Sequence, residues 1–207
     1  MNYNTAMTEK KHSPLKIILF SFVALVLNFI VAKLCGFGSF LFMDTVFPMA
    51  LLFYFGLLPA LVVQILFNVI SAFLPMFITG NYNGAINALY GLAGVAIVLV
   101  TWLFSRKKEK FCISPLYTVL YLLLASFCAA LASCVVAGIV NNFIMSVSNI
   151  DAEHAASYEK IFLSLFGSGI LPFIGLILGR IPVTLCDRII TTFLGFGICK
   201  LVQKIEK

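Results

Sequence analysis

Charged residues are rare in the apolar parts of this sequence, so the few that stand there are the first places to look for chemistry. Asp187 and Arg188 are adjacent in Ile181-Pro182-Val183-Thr184-Leu185-Cys186-Asp187-Arg188, and Asp44 lies in Phe42-Met43-Asp44-Thr45-Val46. A charge at the centre of a bilayer costs roughly 2.5–3.5 kcal/mol on insertion scales, so it is expected to be paired or functional. Asp44 beside Thr45 suits a helix N-cap and is equally able to contact a ligand. Asp187 and Arg188, with Arg180 nearby, either close a structural ion-pair network or clamp a ligand. Asn81 and Asn83 belong to Asn81-Tyr82-Asn83-Gly84, a good turn. Asn87 and Tyr90 come about a turn into the next helix and suit a cavity wall. Asn141 and Asn142 complete the polar set.

These residues suit binding better than catalysis. The sequence has no Gly-x-Ser-x-Gly nucleophile turn, no His-Glu-x-x-His, and no phosphate loop ending in Gly-Lys-Ser. His12 and His154 have no metal-ligating neighbours in sequence, and the six cysteines form no Cys-x-x-Cys pair. The expectation is a protein that is not an enzyme and needs no metal or cofactor. Lacking a nucleotide-binding loop, it would depend on partners for any ATP-driven work.

The elements that position these residues follow from composition. The 207 residues are 62% hydrophobic and 11% charged, against about 45–50% and about 25% in soluble domains. No charge falls between Asp44 and Arg106, between Lys110 and Asp151, or between Lys160 and Arg180. Such runs are what spanning helices require, and they exclude a soluble enzyme, a nucleic-acid-binding module and a secreted disulfide scaffold. The expected fold is an all-α membrane protein, a bundle of six transmembrane helices at about 17–35, 43–55, 59–77, 85–104, 116–146 and 182–202. Residues 161–179 are apolar but hold Gly167, Gly169, Pro172, Gly175 and Gly179. They are expected to form a re-entrant or interfacial segment between helices 5 and 6. Residues 1–16 and 204–207 are tails around the single membrane domain.

Basic residues cluster at Lys10, Lys11 and Lys16, at Arg106, Lys107, Lys108 and Lys110, and at Lys200, Lys204 and Lys207. Six spans put all three clusters on one side, the cytoplasmic side by the positive-inside rule. That assigns both termini to the cytoplasm of a bacterial-type plasma membrane and nearly all the intramembrane polar groups to the outer half. Small residues form two further patterns. In helix 5, Ala125, Ala129, Ser133 and Ala137 recur at spacing four, beside Ser126, Ala130, Cys134 and Gly138. In helix 1, Ala24, Asn28 and Ala32 do the same. Such stripes let helices approach closely in lipid, either within the bundle or against a partner.

Several of these stretches have counterparts in a known family. Phe42-Met43-Asp44-Thr45-Val46, the break from Gly56 to Pro59, and Gln64-x-x-x-Asn68 resemble the Leu-Asp-Thr, Gly-Pro and Asn-Leu-Ile stretch of helices 2 and 3 in the substrate-binding S components of energy-coupling-factor (ECF) transporters, riboflavin-type group. Asn87-Ala-Leu-Tyr-Gly91 is similar to that family's start of helix 4. Pro182-x-x-x-x-Asp187-Arg188-Ile-Ile looks like its Asp-Lys-Ile-Ile start of helix 6, with arginine in place of lysine. The resemblance implies capture of a vitamin or similar micronutrient from outside, docking through helix 1 onto a T component with two ATPase subunits, and reorientation of the bundle on docking. The family's Ala-x-x-x-Ala docking motif is here Ala24-x-x-x-Asn28-x-x-x-Ala32. Membrane lipid is the surrounding medium and nucleic acid is not an expected partner. A ligand-sensing membrane module coupled to a signalling partner is the alternative, and the short basic tail after helix 6 disfavours a fused output domain. The lack of a strong cationic or anionic cluster among the intramembrane polar groups suggests a neutral or zwitterionic small molecule with an aromatic or apolar part.

Overall fold

Backbone in hydrocarbon has no water to bond, so an apolar chain satisfies its N–H and C=O groups by coiling into helices. The structure, a computed structural model, describes residues 12–36, 41–79, 86, 88–106, 114–148 and 170–206. Among these residues there are six helices and no strands: α1 (Pro14–Gly36), α2 (Val46–Phe55), α3 (Leu57–Thr79), α4 (Gly91–Ser105), α5 (Pro115–Ser148) and α6 (Ile170–Ile205).

Four helical stretches are long and apolar enough to cross a membrane: Pro14–Leu34, Leu57–Pro75, Ala88–Ser105, which is α4 with the short turn of helix before it, and Pro115–Ile144. That is the composition of a multi-pass membrane protein. The ten residues of α2 reach only about 15 Å, half of a hydrocarbon core of about 30 Å. Helix α6 carries Arg180, Asp187, Arg188 and Lys200 along its length.

Helix α4 begins at Gly91 and α2 at Val46, later than the expected 85 and 43, and the start of α6 differs most. Helix α6 begins at Ile170 and runs through Pro182, so residues 170–179 are its first turns and not a separate re-entrant or interfacial segment. Residues 161–169 lie outside the described residues. Glycine and proline break helices in water, where the freed backbone groups can bond to solvent. Here α6 packs on α2 and α5, and such tertiary contacts carry a helix past residues that are poor helix formers.

The short α2 is the centre of the packing. It contacts α1, α3 and α6, and Met49 at its middle is fully buried. Gly195 of α6 permits the crossing: a Cβ there would lie 2.5 Å from Met49 Cβ, 2.9 Å from the Val46 carbonyl oxygen and 3.0 Å from the Ala50 nitrogen. The α2–α3 turn is made by Gly56, whose φ of +102° favours glycine. Its N–H donates to the carbonyls of Leu51 and Leu52, both at 3.1 Å.

Both small-residue rows of α5 are buried, from Ala125, Ala129, Ser133 and Ala137 to Ser126, Ala130, Cys134 and Gly138, and α5 packs on α4 and α6. The outward faces are apolar, with Ile18, Phe22 and Val26 of α1 and Leu120, Leu124 and Phe127 of α5 all exposed. This is the wall a lipid-facing bundle presents.

The start of α1 and the end of α6 meet. Lys16 Nζ lies 2.5 Å from Glu206 Oε2, and the hydroxyl of Tyr54, near the end of α2, donates to the same oxygen at 2.5 Å. The starts of α2 and α4 and the late turns of α5 gather around the first half of α6, away from this terminal end.

Candidate functional site

A buried charge cluster organises that half of the bundle. Arg188, 2% exposed, donates from Nη1 to Thr45 Oγ1 at 2.6 Å and from Nη2 to Asp44 Oδ1 at 2.8 Å. The same Nη2 makes a short contact with Asp187 Oδ2. The other Asp187 oxygen accepts the backbone N–H groups of Phe42 and Met43, at 2.9 and 3.0 Å. Met43 has a φ of +49°, an uncommon conformation for a side-chain-bearing residue. Two successive N–H groups turned toward one carboxylate form an anion-holding nest, so the anion that holds this backbone is the chain's own Asp187.

Asp44 therefore does not cap α2 with its side chain. The capping group comes from α1: Asn28 Oδ1 accepts the N–H of Phe47 at 3.3 Å, and Asn28 Nδ2 donates to the Asp44 carbonyl at 2.7 Å. Asn28 is fully buried and Ala24 nearly so, while Ala32 is half-buried. Of the two uses open to this stripe, Ala24 and Asn28 serve packing within the bundle, against α2.

Beside the cluster lies a cavity of about 260 Å³. Phe42 and Asp44 form one side, Asn68 of α3 another, and Tyr90, Ala93, Gly94 and Ile97 a third. Ser133, Cys134 and Ala137 of α5 and Arg180, Thr184 and Arg188 of α6 close it. The Tyr90 hydroxyl donates to Asn141 Oδ1 at 2.6 Å, and the Arg180 guanidinium sits over the Tyr90 ring at 5.6 Å. Gly94 makes room for Gln64 and Asn68, whose amide nitrogens would lie 2.4 and 3.0 Å from a Cβ there. Asn68 Nδ2 donates to the Gln64 carbonyl at 2.8 Å. Among the described residues, Arg188 Nε, Asn141 Nδ2 and both side-chain polar atoms of Gln64 are buried without a hydrogen-bond partner.

Of the residues singled out from sequence, Asp44, Tyr90 and Arg188 line the cavity directly. Asn141 stands behind Tyr90 and fixes its hydroxyl, and Asp187 stands behind Arg188. Asn142, one residue on and so about 100° around the helix, is exposed. Asn81, Asn83 and Asn87 lie outside the described residues. The cavity also uses Asn68, Ser133, Cys134, Arg180 and Thr184. Arg180, Thr184 and Arg188 recur at spacing four, one face of a helix; the signal is present in the sequence but hidden when helix 6 is started at Pro182. Among the described residues no His/Cys/Asp/Glu group of three could hold a metal ion.

The arrangement turns a few polar and charged side chains toward one small space. Its walls are mostly apolar, with a few convergent polar groups, as in small-molecule sites. Comparison with protein-family models, curated proteins and solved structures finds no match for this chain.

Proposed function

We propose that this protein is a substrate-capturing membrane subunit, the S component of an ECF-type importer that takes up a vitamin or similar micronutrient. The observation that supports it most is the cavity of about 260 Å³ between α3, α4, α5, α6 and the residues before α2, in which Arg188, Asp44, Tyr90 and Arg180 share one space. Charges are costly in a membrane bundle, and a ligand is a sufficient reason to hold three of them, together with Tyr90, around a void.

The contact between Lys16 and Glu206 brings the two terminal ends together, and the basic clusters give that end a cytoplasmic address under the positive-inside rule. The cavity then opens toward the outside, where a scarce solute would be met. Energy would come from a T component and two ATPase subunits, since this sequence has no phosphate loop. With Ala24 and Asn28 turned toward α2, docking on α1 falls to its exposed face, which includes Ile18, Phe22 and Val26.

The test is purification of the tagged full chain from native membranes under mild detergent, followed by native mass spectrometry. The expected result is a complex with T and ATPase subunits and a bound small molecule that Tyr90→Ala releases at unchanged expression. A chain that never associates with such subunits overturns the transporter reading.

A further inference from the structure

Two side chains on the cavity wall keep an oxygen without a donor. Asp44 Oδ1 accepts from Arg188 Nη2 at 2.8 Å, while Asp44 Oδ2 accepts no hydrogen bond among the described residues. The carboxylate is not sealed in: 28% of the Asp44 side chain is exposed, against 3% of the Arg188 side chain. Asn68 is the second. Its Nδ2 donates to the Gln64 carbonyl at 2.8 Å and stands against Gly94, 3.0 Å from where a Cβ would lie. A carbonyl accepts only from the nitrogen of the amide, so this bond fixes which way round the Asn68 amide stands. Asn68 Oδ1 is then the end without a donor. Hydroxyl protons on the same wall are already committed, that of Tyr90 to Asn141 Oδ1 at 2.6 Å and that of Ser133 to the Ala130 carbonyl at 2.9 Å. Arg188 Nε, which lacks an acceptor, is buried.

Resting on the reading of this cavity as the capture site, we propose that its ligand is a small, uncharged, ring-bearing N–H donor of the carboxamide kind. Its N–H groups bond the open oxygens of Asp44 and Asn68, and its ring lies against Tyr90 and Ile97, which are flat and apolar. A donor to a charged oxygen makes a stronger bond than one to a neutral oxygen, so Asp44 is the anchor and Asn68 the second contact. An uncharged donor reaches Asp44 Oδ2 and leaves the Arg188 pair on Oδ1 in place, whereas a cation competes with that guanidinium for one carboxylate. The cavity volume of about 260 Å³ lies below the range of roughly 300–1,000 Å³ for drug-sized sites, which suits one ring and its substituent.

Benzamide, methyl benzoate, benzoate and benzylamine are similar in size and separate donor, acceptor and charge. Their binding to the purified full chain in detergent is measured by equilibrium dialysis. Ala137→Leu, which fills the cavity from α5, gives the background from the micelle. Benzamide is expected to bind about tenfold more tightly than methyl benzoate, which keeps the ring and carbonyl but has no N–H, the scale of one hydrogen bond to a charged group. Asp44→Asn should bring the two within about twofold of each other, because the acceptor is then neutral. Asn68→Leu should weaken benzamide by about threefold, the scale of one neutral hydrogen bond, and leave methyl benzoate unchanged.

Equal binding of the probes, or preference for methyl benzoate, benzoate or benzylamine, overturns the uncharged N–H donor and leaves the capture site standing. Probes that bind the unaltered chain no better than they bind Ala137→Leu overturn both. If Asp44→Asn does not fold, the order of the probes on the unaltered chain decides, and Ala93→Leu replaces Ala137→Leu as background if that variant fails.

Discussion

Helix α6 is tied to the front of the chain at two places, by similar groups in unlike surroundings. Toward the cavity, Arg188 joins Asp187, Asp44 and Thr45 in the bundle interior. At the terminal end, Lys16, Tyr54 and Glu206 join in the same way, with a quarter or more of the Lys16 and Glu206 side chains still exposed. Asp187 and Arg188 are almost wholly shut off from solvent, so each depends on the other, while Asp44 keeps part of its side chain exposed toward the cavity. At the terminal end solvent competes for every bond, and the same geometry holds the helices together only weakly.

The largest expected effect comes from breaking the interior cluster. Arg188→Ala leaves the fully buried Asp187 and the partly buried Asp44 without their cation. Removing one partner of a buried pair costs roughly 3–5 kcal/mol. A large fall in folded yield and melting temperature in detergent is expected, with Arg188→Lys in between because it keeps the charge and loses the fork. A melting temperature unchanged in Arg188→Ala would mean that water reaches the cluster and that the contrast between the two ends is false.

The crossing beside that cluster ranks next. Gly195→Ala places a methyl group 2.5 Å from Met49 Cβ and 2.9 Å from the Val46 carbonyl, where backbone must move. Overpacking of this kind costs about 1–3 kcal/mol. Gly197, where an added Cβ would meet nothing within 4 Å, is the control: Gly197→Ala should be neutral or slightly stabilising. Similar melting temperatures for the two variants would show that α2 and α6 are not in close contact.

Asn28→Ala should cost somewhat less, about 1–2 kcal/mol, the range for a lost N-cap. It removes the acceptor of the Phe47 N–H and the donor to the Asp44 carbonyl. Because those groups adjoin the cavity wall, backbone amide exchange at the start of α2 should rise more than exchange in α5. A uniform change would mean that Asn28 acts only as packing.

How much of this could be read in the sequence depends on what lipid hides. Long uncharged runs located α1, α3 and α5 closely, and the end of α4 but not its start at Gly91, because a spanning helix admits few charges. Which face of each helix points inward was much harder to see. In water an apolar stripe marks the core, but Leu, Phe and Ile suit lipid as well as the interior, so only small and polar residues carry directional information. That is why the Ala125 and Ser126 rows marked the packed face of α5, and why Tyr90 stood out as a cavity residue while Asp44 was left between a helix cap and a ligand contact. Asn28 was legible as a departure from a small-residue stripe, yet its partner could not be read, because no local pattern says which helix start it caps. The Arg180–Thr184–Arg188 face was lost for a different reason: a seventh span at 161–179 would carry a basic cluster to the outer side, and that charge balance set the start of helix 6 at Pro182.

The smallest effect is expected at the terminal end, where pH tests the contrast. A hydrogen bond from Lys16, then one from the Tyr54 hydroxyl, holds the Glu206 carboxyl below its ordinary 4.5. A depressed folded value means that the contact contributes fully above the unfolded value and is lost as pH falls through the folded one. The melting difference between the unaltered chain and Glu206→Gln should therefore be constant from about pH 8 to about 6, correspond to less than about 1 kcal/mol, and vanish at pH below the folded value. High salt at neutral pH should shrink it too, since exposed pairs are screened, whereas the Arg188→Ala deficit should hardly respond. A salt-insensitive difference at Glu206 would show that this end is as dry as the interior cluster.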